Sequence, residues 1–481
     1  MTDLLKNECR IFLGAVALVI TTHACSPTAG VTPTDITPST PPSVTPKPRA
    51  IPTETTTSIP ASGSWLSPDG PWWVISTEDG IWAVNRDGSE LTQIIDQTIP
   101  PMNAFREAPS GGMLAYVTWN PVSEEETLYI LKLPDGAVTE VASLSAAVGP
   151  ILQGDPLFEA RTLIASMDSV AWSPDGQRLA FVGFMDGPSP DLYVYAMHDG
   201  SLTRLTDGTV PILWPIWSPD GEYILFFGVP GLVTGEGPGV ASVWFARADG
   251  SEVRKLYDAS GEGTEVVIGW VDDRHFVTYS SAWTPVNLRI VDVETGPVDL
   301  LWEDYFNTAD LDQETGVLLL GLQRSTAERN PDGKQGLYII QAGGPPPWRM
   351  IEDEPYEILW SIEAGLFFAE TEFGILAVSS TGNYIDLDRP ASSTGFPIVA
   401  PGTRELAWTG SELWIGSLTS SIENPPRQVF IEPTYCGTWG TQGRNLLFFS
   451  TSGLYMATGP DFGPVLLGKG LSCNDAVWVK R

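Results

Sequence analysis

The pentapeptide Trp172-Ser173-Pro174-Asp175-Gly176 returns 45 residues later as Trp217-Ser218-Pro219-Asp220-Gly221, and a partial copy, Ser67-Pro68-Asp69-Gly70, stands near the start of the apolar part of the chain. A period of that length marks an array of small β-units. In both full copies an apolar stretch enters the motif, Pro-Asp-Gly reverses the chain, and an alternating β-branched and aromatic run leaves it, as in Tyr223-Ile224-Leu225-Phe226-Phe227. That pattern is a hairpin. A second turn follows in four units: Asp87-Gly88-Ser89, Asp135-Gly136-Ala137, Asp199-Gly200-Ser201 and Asp249-Gly250-Ser251. Strand-like runs flank each one, so a unit holds four short antiparallel strands.

Past residue 260 the punctuation decays, but strand quartets remain and nine can be traced. Four-stranded units set radially leave only short, protected edges. The expected fold is therefore all-β: a single β-propeller of four-stranded antiparallel blades over residues 65–481. Eight blades are expected because the later units are degenerate, with seven or nine as alternatives. A helical solenoid is excluded by the absence of sustained helical periodicity. The terminal Ala476-Val477-Trp478-Val479 has inner-strand character but no unit after it. It is expected to pair with the strands of residues 72–84 and close the ring. Most of the 18 Trp, including Trp172, Trp217, Trp244 and Trp270, are expected at equivalent unit positions as packing between blades.

Trp-Ser-Pro-Asp-Gly followed by a polar pair and an apolar strand resembles the TolB-type, WD-repeat-like propeller repeat, also found in the propeller domains of prolyl oligopeptidases. The match is specific at 172–182 and 217–227, fair at 67–75, and weak at Ala108-Pro109-Ser110-Gly111-Gly112. TolB adds an α/β domain and the oligopeptidases a hydrolase domain, and residues 65–481 leave room for neither. The resemblance implies the propeller alone.

Residues 11–20 form an unbroken apolar run, too short to span a bilayer comfortably, that ends near Thr21-Thr22-His23-Ala24-Cys25. This looks like a secretory signal ending at a bacterial lipoprotein cysteine, so residues 1–25 are read as signal peptide and Cys25 as the lipidation site. Residues 26–60 hold ten Thr, nine Pro and four Ser, a composition that cannot bury a core. Residues 26–64 are read as a disordered tether, useful only if its start is fixed. The protein is expected to be exported and lipid-anchored in the bacterial envelope, or secreted if Cys25 is not modified.

Formal net charge is −33, which repels nucleic-acid phosphates and anionic lipid. No nucleic-acid partner is expected, and membrane contact only through the anchor. Beyond Cys9 and Cys25, the cysteines are Cys436 and Cys473. In an oxidising compartment these are expected to form a disulfide.

Reactive chemistry is sparse. The chain carries no Gly-x-Ser-x-Gly elbow and no His-Glu-x-x-His helix. His198 and His275 read as turn residues, and Asp186, Asp191, Asp272 and Asp273 lack calcium-loop spacing. Carboxylate runs such as Glu124-Glu125-Glu126 and Glu352-Asp353-Glu354 read as solvated turns. No cofactor, metal or catalytic residue is expected.

With strands named from the inside outward, the first-to-second and third-to-fourth turns are short, and the other two connections carry the insertions on one face. A long outer turn at 417–426 is the exception. Binding residues concentrate on long loops of a rigid scaffold, which makes Trp119, Trp283 and Arg324 the contact candidates. The function expected is a non-catalytic, monomeric binding or scaffolding propeller that recognises an envelope or extracellular protein, peptide or glycan. The competing class is a propeller enzyme of lyase, lactonase or hydrolase type with a site in the central channel.

Overall fold

The computed structural model describes residues 66–480 except 78, 97–104, 121–124, 146–162, 165, 188, 209, 234–239, 260–263, 282–284, 304, 324–333, 394, 420–424, 441 and 474. The expected signal peptide, Cys25 and tether lie outside these residues. Among the described residues the strands form nine four-stranded antiparallel sheets. In chain order they are blade 1 (72–95 with Asp475–Val479), blade 2 (106–143), blade 3 (170–204), blade 4 (212–258), blade 5 (264–302), blade 6 (308–351), blade 7 (355–387), blade 8 (398–430) and blade 9 (434–469).

Nine blades form where eight were expected. The late units lose the Trp-Ser-Pro-Asp-Gly spelling but keep its mechanics. In blades 6 and 7 the first turn is closed by Gly316 N–H to Asp312 O and by Gly365 N–H to Ser361 O, both at 2.9 Å. Both glycines have positive φ, the conformation a tight reversal needs.

The repeated motif is a self-contained hydrogen-bonded turn. Ser173 Oγ donates to Asp175 Oδ1 at 2.5 Å, and Asp175 Oδ1 accepts from the Gln177 N–H at 3.0 Å. Ser173 Oγ in turn accepts the Arg178 N–H at 2.9 Å. The second copy repeats this through Ser218, Asp220, Glu222 and Tyr223 at 2.5, 2.9 and 2.9 Å. These bonds hold the Asp175 carboxyl below the usual range, the Ser173 hydroxyl contributing most. Gly176 is needed twice over: its φ is +67°, and a Cβ there would stand 2.4 Å from Ser110 Oγ in the turn of the preceding blade. The fully buried Ser173 satisfies groups that its removal would strand. Ser173→Ala should therefore cost about 1–3 kcal/mol in denaturant unfolding. Ser201→Ala, in an outer turn, should stay within about 0.5 kcal/mol of wild type.

The tryptophan that opens the motif braces blade to blade. Trp172 Nε1 donates to Arg106 O in blade 2, Trp217 Nε1 to Ala171 O in blade 3, and Trp439 Nε1 to Ile398 O in blade 8, each at 2.9 Å. Indole suits the site because it fills the space between two sheets and keeps one donor for an inner-strand carbonyl. Trp270 occupies the same position in blade 5 and packs edge-on to Phe276, 5.6 Å between centroids. Trp244 departs from the expected register. It lies on the third strand of blade 4 and donates to Ser242 Oγ at 2.8 Å.

Apolar clusters fill every gap between neighbouring blades, including those joining blade 1 to blade 2 and to blade 9. The ring closes as expected, with Asp475–Val479 serving as the innermost strand of blade 1 in a register that sets Trp72 opposite Val479 and Ser76 opposite Asp475. Blade 2 also grips this strand. Phe105 N–H donates to Asp475 Oδ2 at 3.0 Å, Gly112 N–H to Lys480 O at 2.6 Å, and Lys480 N–H to Glu107 Oε1 at 2.9 Å.

On its other side a Cys436–Cys473 disulfide, Cα–Cα 6.5 Å, ties the closing segment to the innermost strand of blade 9. A bonded pair fits an exported protein, since cytosolic thiols are kept reduced. Cys436→Ser with Cys473→Ser should lower stability by about 3–4 kcal/mol for a 37-residue separation in the chain-entropy account. Comparing melting with and without reductant checks it; identical curves would show that the staple carries no stability.

Candidate functional site

The strand order fixes two unlike faces. The turns bearing Pro-Asp-Gly and Asp-Gly-Ser share one face with Leu66, which is buried just ahead of the second strand of blade 1, and with Lys480. The second-to-third loops and the blade-to-blade connections share the other. This long-loop face is the candidate site, and the third and fourth strands of blade 8, Leu413–Ser417 and Arg427–Phe430, meet on the opposite face.

On the long-loop face, acidic side chains in several blades serve as latches. Glu126 in blade 2 is buried and accepts from Ser145 Oγ at 2.7 Å; the solvated turn expected for the 124–126 run therefore fails at its last residue, which is on a strand. In blade 3 Asp191 accepts from Arg204 at 2.5 Å and from Thr206 at 2.8 Å. Burial still outweighs these donors and pushes the Asp191 carboxyl up.

In blade 5 Glu265 is fully buried and accepts from Arg289 at 2.7 Å, Thr278 at 2.9 Å, Ser280 at 2.9 Å and Tyr257 at 3.2 Å. Burial, aided by Glu265, raises the Tyr257 phenol, so it stays a neutral donor. Asp310, on the innermost strand of blade 6, reaches across to the Trp360 N–H of blade 7 at 2.7 Å, and desolvation raises its carboxyl. In blade 9 Glu432 accepts from Ser450 and Ser452 at 2.9 and 2.7 Å.

Apart from the mid-strand bond between Asp310 and Trp360, these pairings set the loop bases. Among the described residues, no three His, Cys, Asp or Glu side chains come together in a way that could hold a metal ion.

Of the contact candidates, Trp119 stands near the outer end of the second strand of blade 2, paired in the ladder with Glu126 and 39% exposed. Trp283 and Arg324 lie outside the described residues. His198 is at an exposed turn beside Asp199. His275 opens a strand on the short-turn face, between the carboxylates of Asp272 at 2.9 Å and Asp292 at 3.3 Å. Exposed aromatics that sequence reasoning did not single out also stand on the long-loop face: Tyr305, Tyr356 and Phe373. Phe373 had a readable cue, an apolar residue in a two-residue gap before Gly374.

No protein-family model matches the chain. A curated relative, "Uncharacterized peptidase YuxL" of Bacillus subtilis, is 30% identical over 136 residues, 28% of this chain and 18% of that protein. The similarity thus spans under a fifth of the peptidase's length. "Uncharacterized protein Atu1656" of Agrobacterium fabrum is 23% identical over 254 residues, 49% of this chain and 74% of that protein. Among solved structures, a eukaryotic initiation factor matches with TM-score 0.55 at 11% identity, covering 86% of this chain and 98% of that one. TolB from Acinetobacter baumannii matches at 14% identity and TM-score 0.30 over 59% of this chain and 66% of that one. The class defined by the fold is the β-propeller, with a repeated turn motif that resembles the TolB type.

Proposed function

We propose that this chain is an exported, non-catalytic binding propeller, held at the cell envelope through a lipidated Cys25, that recognises a protein, peptide or glycan with its long-loop face. The observation that carries this reading is the placement of Leu66. The polypeptide reaches blade 1 on the short-turn face, so a tether leading to Cys25 would depart from that side and leave the long-loop face turned away from the anchor. The engagement of its buried carboxylates with hydroxyls and guanidinium groups also favours a rigid platform over an acid–base pair.

Cross-linking in intact cells followed by mass spectrometry tests the reading. Partner cross-links should map to the second-to-third loops and blade-to-blade connections, and Cys25→Ser should release the protein from the membrane fraction. Cross-links confined to the short-turn face would overturn the orientation. A divalent ion retained on purification and lost on substituting channel-side carboxylates would replace binding with catalysis.

A further inference from the structure

Three exposed aromatics on the long-loop face belong to one sector. Tyr305 enters blade 6, Tyr356 is on the innermost strand of blade 7, and Phe373 tips the hairpin of that blade; they are 40%, 51% and 76% exposed. A short chain of contacts joins their bases. Asn307 Nδ2 donates to Gln323 Oε1 at 3.2 Å, and Gln323 Nε2 donates to Pro355 O at 3.0 Å. Pro355 then pairs with Thr371, whose Oγ1 accepts the Phe373 N–H at 3.3 Å.

Packing is tight there, since a Cβ on Gly321 would stand 2.7 Å from side-chain atoms of both Pro355 and Thr308. The aromatics are thus carried on a stiff base. Next to them in sequence stand the exposed Glu303 and Glu372, and the connection between the two blades carries Glu352-Asp353-Glu354. The cations described beside this sector are already engaged, Arg349 with Glu352 at 2.7 Å and Arg389 with Glu370 at 2.5 Å.

We infer that this sector of blades 6 and 7 docks a cationic segment of a partner protein, a Lys- or Arg-bearing peptide. Exposed rings flanked by carboxylates offer such side chains cation–π faces and counter-charges together. A second copy of this chain is the wrong occupant, because two bodies of net charge −33 repel. A neutral glycan would leave the carboxylates unanswered. The inference rests on the long-loop face being the recognition surface and narrows it to one sector and one chemistry.

The probe is a fluorescein-labelled peptide of alternating Lys and Gly, titrated into the full mature chain at two salt concentrations. Tyr356→Ala with Phe373→Ala should weaken binding by at least about tenfold, as expected for aromatic anchors. Glu303→Gln with Glu372→Gln should flatten the salt dependence. Ile362→Ala, on the short-turn face, should leave both unchanged, and near-identical melting curves would confirm that all variants fold.

Equal affinity for wild type and the aromatic variant would overturn the inference, as would tighter binding of a neutral xylo- or cello-oligosaccharide. Peptide cross-links on other long loops would overturn it while leaving the proposed function standing. Cross-links on the short-turn face alone would remove both.

Discussion

Deleting residues 472–481 should abolish cooperative folding of the whole disc, not merely fray its last blade. The deletion removes the inner strand of blade 1, the buried Ala476, Trp478 and Val479, and the bonds to Phe105 and Gly112. Truncating one buried Trp costs about 3–5 kcal/mol. Adding the lost strand pairing brings the total within reach of the entire 5–15 kcal/mol typical of a folded domain. The Cys436→Ser, Cys473→Ser variant is the necessary control, since the deletion also removes the disulfide. A truncated protein with a single sharp melting transition near that of the control would show that the ring does not depend on its closing strand.

Breaking the Glu265–Arg289 pair should be the most damaging single substitution on the long-loop side. Glu265 has no exposed side-chain surface and Arg289 only 15%, with the guanidinium 5.0 Å over the Tyr257 ring. Arg289→Met would leave the carboxylate facing hydroxyl donors but no cation, at a cost of about 3–5 kcal/mol. Arg289→Met combined with Glu265→Gln should recover much of that loss, because a well-filled apolar and amide replacement relieves the stranded charge. A double-mutant cycle by urea unfolding measures it. A single variant within about 1 kcal/mol of wild type would mean that water reaches Glu265.

The architecture was legible because its signals are local. Turn formers at 172–176 and 217–221, alternation in the strands that follow, and an orphan strand at the C-terminus together specify hairpins, repetition and closure. The blade number was the weaker inference, since the turns of blades 6 and 7 achieve the same reversal with other residues. The role of the motif tryptophan as a brace to the preceding blade needed the coordinates to reveal its acceptor carbonyl. The buried carboxylates were harder still. Asp191, Glu126 and Glu265 stand at the edges of apolar runs in sequence, and only the folding of each blade brings Thr206, Ser145 or Arg289 to them. Of the three contact candidates, the described residues include Trp119 alone.

Pairing Trp72 with Val479 also has a kinetic side. Nearly the whole polypeptide must be in place before the disc can shut, so blade 1 waits with an unfilled flank until the last strand arrives. Contacts so distant along the chain make for slow folding. The period before closure is when this protein would be most exposed to aggregation and to proteolysis.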